Sequence, residues 1–181
     1  MKNKKLRKLM TMAILAAVSI VLVALIHFPI FPAVPFLEYD PADIAILICG
    51  FAFGPVAGIC VTVVAALIQG LTVSAQSGIY GIIMHIIATA ALVLTSSIIY
   101  RKKKTKKNAL VAIVFGVLAM TAVMIPANIF ITPFFMGCER AFVIALLPFI
   151  AGFNFIKAGI NGIITFFVYK KISNLIHKFD D

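Results

Sequence analysis

The chain has 181 residues, enough for one domain. Hydrophobic residues make up 63% of it and charged residues 12%, against roughly 45–50% and about 25% in soluble domains; this excludes a water-soluble enzyme and a disordered chain. The net charge is +10, but five of the 16 Lys and Arg lie in residues 2–8, six in 101–107 and three in 170–178, leaving Arg140 and Lys157. Basic clusters that punctuate apolar runs mark a polytopic membrane protein, not a nucleic-acid-binding face.

Lys2 to Lys8 precede an apolar run that fits a first span over 9–28. That run is too long for the core of a signal peptide, and His27-Phe28-Pro29 offers no small-residue cleavage site, so the segment is expected to be retained. Within it, Ala13 and Ala17 share a helix face, a spacing that lets another helix approach closely in lipid. An acidic loop with Glu38, Tyr39 and Asp40 follows. The stretch 41–71 is long for one span and short for two. Charge parity decides between them: the Arg101–Lys107 loop shares the cytoplasmic face with Lys2–Lys8 only if an even number of spans lies between. Gly54-Pro55 supplies the break, giving spans 41–53 and 56–71. Further spans over 78–100, 108–132 and 141–169 complete an all-α membrane protein. The expectation is a single domain over 1–181 with six transmembrane helices and both termini cytoplasmic. Glu38, Asp40, Asp43, Glu139 and Arg140 then occupy the outer side. Cys49, Cys60 and Cys138 show no metal-ligand spacing and no disulfide framework.

Polar groups inside a membrane are costly, so their depth is informative. At about 1.5 Å per residue, Lys157 lies about 20 Å above the inner boundary, Asn154 and His85 about 24 Å, Asn128 about 30 Å and Gln69 near 20 Å. All fall in the outer half of a core roughly 30 Å thick, whereas the inner half is nearly all aliphatic apart from Asn161. A channel needs polar lining along its length; this distribution fits a pocket open to the outside. Asn154 and Lys157 share a helix face, and Glu38 is the expected partner for the Lys157 ammonium. Each group also has a plainer reading. Asn128 would satisfy backbone freed by Pro126, His85 would be a core histidine, Gln69 and 72–77 would be loop, and Lys157 would snorkel outward. There is no phosphate-binding Gly-rich loop, no paired intramembrane carboxylates and no nucleophile–histidine pairing at a readable spacing. Any energy for transport must come from partners.

Taken together, these residues resemble the riboflavin-specific branch of the substrate-binding (S) components of energy-coupling factor (ECF) vitamin transporters, over nearly the whole chain. The marks are Phe36-Leu37-Glu38-Tyr39-Asp40-Pro41-Ala42-Asp43-Ile44, Gly50-Phe51-Ala52-Phe53-Gly54-Pro55-Val56-Ala57-Gly58, Ser77-Gly78-Ile79-Tyr80-Gly81, Pro126-Ala127-Asn128 and Gly152-Phe153-Asn154-Phe155-Ile156-Lys157. The resemblance implies a non-enzymatic, multi-pass protein of the bacterial cytoplasmic membrane that needs no cofactor and captures riboflavin from outside. It implies that Glu38, Asn128, Asn154 and Lys157 contact riboflavin; Tyr39, Asp43 and Tyr80 complete the expected substrate-binding set. It also implies partnership with a transmembrane coupling subunit, met through Ala13 and Ala17, and with two cytoplasmic ATPase subunits. Asn128 and Asn154 could both donate to and accept from a flavin edge, Lys157 could only donate, and Glu38 would suit ribityl hydroxyls. Phe36, Tyr39 and Tyr80 would cover the ring. The alternatives are an S component for thiamine or biotin, a membrane-embedded lipid-modifying enzyme, and a structural subunit.

Overall fold

The computed structural model describes the backbone of residues 2–178 and the side chains of residues 4–169 and 171. Six helices run in chain order: α1 (Lys2–Leu25), α2 (Ala42–Phe53), α3 (Pro55–Leu71), α4 (Gly78–Lys102), α5 (Lys106–Met136) and α6 (Arg140–Lys178). Four of them coincide with stretches long and apolar enough to cross a membrane: Lys4–Leu25, Ala75–Lys102, Lys106–Met136 and Arg140–Tyr169. The other two, α2 and α3, are shorter. The side chains of Lys2, Lys170 and Lys178, assigned to the inner face from sequence, lie outside the described residues.

The break between α2 and α3 falls where Gly-Pro demands it. Gly54 takes φ 91°, a left-handed value that favours glycine, and its N–H closes α2 on the Gly50 carbonyl at 2.9 Å. Pro55 opens α3, where its missing N–H costs nothing. At 12 residues, α2 reaches only about 18 Å. It is buried on nearly every side, from Ala42 through Phe51, as expected of a helix that is apolar all round; its neighbours shield its ends. The α4–α5 turn is tied by Asn108, whose amide donates to the carbonyls of Ile99 (2.7 Å) and Lys103 (2.8 Å), while Thr105 Oγ1 caps α5 by accepting from the Asn108 N–H.

The bundle has two unlike ends. At one, Phe51 of α2 stacks on Tyr100 of α4 with ring centroids 4.5 Å apart, and Tyr169 of α6 meets both rings edge-on. Lys8 of α1 lies over the Phe53 ring, so the basic N-terminus and the basic α4–α5 turn share this end. Between the ends, Gly116 of α5 sits against Ser96 and the Leu92 carbonyl of α4, bringing the two backbones close together. The outward-facing surface is apolar, with Leu9, Ile14, Phe115, Phe134, Ile163 and Phe167 all exposed, which suits lipid.

At the opposite end, the α1–α2 connection contains a short antiparallel pair, β1 (Phe28–Pro29) with β2 (Glu38–Tyr39), that the hydropathy pattern did not signal. Val34, fully buried within this connection, packs with Val143 and Ile150 of α6. The loop is thereby folded back over the bundle and pinned to the start of α6.

Candidate functional site

The polar side chains from α6 are set by helical spacing. Asn154, Lys157 and Asn161 fall three and four residues apart on one stripe, and all three are buried. Lys157 and Asn161 bond to the segment where β2 runs into α2. Lys157 Nζ donates to Asp40 Oδ2 at 2.7 Å. Asp40 Oδ1 accepts from the N–H of Ala42 and so satisfies one of the free donors at the start of α2. Asn161 is a three-way clamp: its amide nitrogen donates to the Asp40 carbonyl (2.9 Å) and to Asp43 Oδ2 (3.0 Å), and its oxygen accepts from the Tyr39 hydroxyl (3.0 Å). Thr89 of α4 donates to the other Asp43 oxygen at 2.7 Å. Burial alone would raise the carboxyl of Asp40, in the loop between α1 and α2; the Lys157 ammonium beside it reverses that and holds it below its ordinary value.

Next to this network lies a cavity of about 130 Å³, walled by Glu38 and Asp40 of the loop, Gln69 of α3, His85 of α4, and Asn154 and Lys157 of α6. A second cavity of about 70 Å³ adjoins it, walled by Tyr80, Asn128, Thr132 and Phe135. Phe36, Leu37, Met84 and Met124 border both and form the partition. Both cavities lie at the end of the bundle away from the basic turn and the Phe51–Tyr100–Tyr169 cluster.

The structure therefore brings Glu38, Asn154 and Lys157 to one cavity, and Asn128 and Tyr80 to the next. It does not bring Tyr39 or Asp43 to either wall. Their polar atoms are taken up by Asn161 and Thr89, which makes them scaffold for the loop. Ala13 and Ala17 are exposed on α1. Four further readings do not match the geometry. The partner of Lys157 is Asp40, not Glu38, because the chain turns inward at Asp40-Pro41 whereas Glu38 stays half-buried in β2. With that partner within reach, Lys157 does not snorkel. Asn128 donates to the Met124 carbonyl at 2.8 Å, not to the Ala122 carbonyl that Pro126 deprives of a helical donor. The 72–77 segment is a turn as expected, whereas Gln69 lies in α3 and faces the cavity.

Sequence reasoning missed Asp40, Asn161 and the wall position of His85. The 154–157–161 spacing carried a signal for Asn161. His85 Nε2 is buried and has no hydrogen-bond partner among the described residues. Asn154 donates to the Ile150 carbonyl of its own helix, and no hydrogen bond to its carboxamide oxygen is formed by the described residues.

Residues 7–169 match the family described as ECF transporter, substrate-specific component. The chain is 28% identical over 151 residues to the riboflavin transporter RibU of Staphylococcus aureus (strain TCH60), covering 80% of this chain and 79% of that protein. It is 26% identical over 152 residues to the riboflavin transporter FmnP of Bacillus subtilis (strain 168), covering 79% and 80%. A solved S component of a bacterial ECF transporter superposes with a TM-score of 0.81 at 30% identity, covering 97% of this chain and 99% of that one. ThiT from Listeria monocytogenes shares the fold, with a TM-score of 0.70 at 19% identity over 96% of this chain and 99% of its own. The chain belongs to the family of ECF transporter substrate-specific components. It is a transport component that works with an ECF module, not an enzyme.

Proposed function

We propose that this S component captures riboflavin at the outer face of a bacterial cytoplasmic membrane and delivers it inward with an ECF module. The observation that carries the reading is the convergence of Glu38, Asn154 and Lys157 on one cavity at the end of the bundle remote from its basic turn. The two relatives named as riboflavin transporters support the choice of ligand.

Sites for drug-sized ligands usually measure roughly 300–1,000 Å³, and each of the two cavities is smaller. A flavin fits this site by parting Phe36 and Leu37 from Met84 and Met124 and occupying both chambers. The aromatic chamber, with Tyr80 and Phe135 at a ring separation of 6.2 Å, suits the flat isoalloxazine, and Asn128 meets its edge. The polar chamber, with Glu38, Asn154 and Lys157, suits the ribityl chain and the adjoining ring atoms. The coupling partners in this reading are a transmembrane subunit, docking along Ala13 and Ala17 of α1, and two cytoplasmic ATPases.

The test is riboflavin titration of the detergent-purified chain, followed by quenching of flavin fluorescence and by visible absorption. Saturable binding at one flavin per chain, not displaced by excess thiamine or biotin, is expected. Saturable binding of thiamine or biotin with none of riboflavin would overturn the proposal.

A further inference from the structure

Among the described residues, three buried side-chain polar atoms have no hydrogen-bond partner: Ser96 Oγ, Ser97 Oγ and His85 Nε2. The two serines lie lower on α4, where Gly116 and Gly50 of neighbouring helices press against them. Only His85 of the three lines a cavity. A buried polar atom without a partner opposes folding, so such an atom on a residue of the chamber wall calls for an explanation.

The surroundings define what would satisfy it. Across the chamber, the Lys157 ammonium and the Asp40 carboxylate already satisfy each other. The Asp43 carboxylate, further inside, is held by Thr89 and Asn161. The Gln69 amide, also on the chamber wall, reaches only Ser74 Oγ, at 3.4 Å. His85 thus shares the chamber with the charges of Glu38, Asp40 and Lys157, yet its Nε2 hydrogen-bonds to none of them. A hydroxyl, which can both donate and accept, meets an imidazole nitrogen in either tautomer.

We infer that His85 is a ligand-contacting residue whose Nε2 hydrogen-bonds a hydroxyl of the ribityl chain. The inference rests on the riboflavin reading above and adds to it a specificity contact on the α4 wall, opposite α6. It makes His85 a reader of the polyol and not of the ring.

The experiment compares wild type, His85→Leu and His85→Gln as full chains in detergent, titrated with riboflavin and with lumiflavin, which has the ring system but no polyol. The Gln amide reaches the position of Nε2; Leu does not carry a polar atom there. His85→Leu is expected to weaken riboflavin binding at least tenfold and lumiflavin binding less than threefold. His85→Gln should stay within about threefold of wild type for both. The ligand-free melting temperature of His85→Leu should equal or exceed that of wild type, because no native hydrogen bond is lost. Riboflavin affinity within twofold of wild type in His85→Leu, equal losses for the two flavins, or a His85→Gln protein as weak as His85→Leu would each overturn the assignment. If His85→Leu does not fold, His85→Ala, which likewise carries no polar atom at the Nε2 position, takes its place with the same expected losses. A wild-type chain that binds neither flavin would instead refute the riboflavin reading itself.

Discussion

Lys157 and Asp40 lie 117 positions apart in the chain, yet their charged atoms meet at 2.7 Å with both side chains buried. The pair ties the α1–α2 loop to α6 beside the candidate site. Removing one member of such a pair strands the other charge in a low-dielectric interior, which costs about 3–5 kcal/mol.

Asp40→Asn keeps the acceptor for the Ala42 N–H and removes only the charge, so it isolates the electrostatic contribution. Asp40→Asn and Lys157→Met are each expected to lower stability by about 3–5 kcal/mol. The double variant should be destabilised by clearly less than the sum. Thermal unfolding of the four ligand-free proteins in detergent gives the coupling; strict additivity would mean that the two groups do not interact.

Asn154 offers a cleaner probe of ligand contact than Lys157. Its amide nitrogen bonds only to its own helix, at the Ile150 carbonyl, so truncation strands no distant partner. Asn154→Ala should weaken riboflavin binding at least tenfold while the melting temperature without ligand stays within a few degrees of wild type. Affinity close to that of wild type in fluorescence titration would remove Asn154 from the site.

Asn161 holds Tyr39, Asp40 and Asp43 at once. Asn161→Leu leaves the Tyr39 hydroxyl, the Asp40 carbonyl and one Asp43 oxygen without that partner, each at about 1–3 kcal/mol. The variant should be among the least stable single substitutions in the protein. Because the loop is no longer clamped, it should also be cut faster by protease between residues 29 and 40. Unchanged proteolysis of that segment would show that the clamp does not set the loop.

At Gly116, α5 packs tightly on α4: an added methyl would meet Ser96 and lie 2.9 Å from the Leu92 carbonyl. A backbone oxygen cannot swing aside as a side chain can. Gly116→Ala should therefore destabilise the bundle by about 1–3 kcal/mol through overpacking, with riboflavin affinity changed less than threefold because the contact lies below the cavities. A melting temperature equal to that of wild type would show that the helices have room to separate.

Much of this architecture was legible in the chain. Residues 56–71 and 78–100 were assigned as helices and α3 and α4 run over Pro55–Leu71 and Gly78–Lys102, because hydropathy and the Gly54-Pro55 punctuation act locally. The gathering of Glu38, Asn154 and Lys157 was legible too, since counting helical rise from a charged boundary gives depth. Depth does not give azimuth. Tyr39 and Asp43 share the right height but turn toward Asn161 and Thr89, away from the cavity walls. Glu38 and Asp40 are two residues apart, and nothing local says which one the turn at Pro41 carries to α6. The β1–β2 pair escaped notice because two-residue strands have no readable period.

The sequence alone determined which segments are helical and which end of the bundle carries polar side chains, because in lipid every backbone amide must be satisfied within its own segment and every charge has a cost that grows with depth. The tertiary structure decided which carboxylate neutralises Lys157, which residues brace the loop and not the cavity, and that His85 lines the chamber and keeps a buried ring nitrogen unpaired. Those outcomes depend on helix rotation and loop path, which arise from packing among segments far apart in the chain and leave no periodic trace within any one of them.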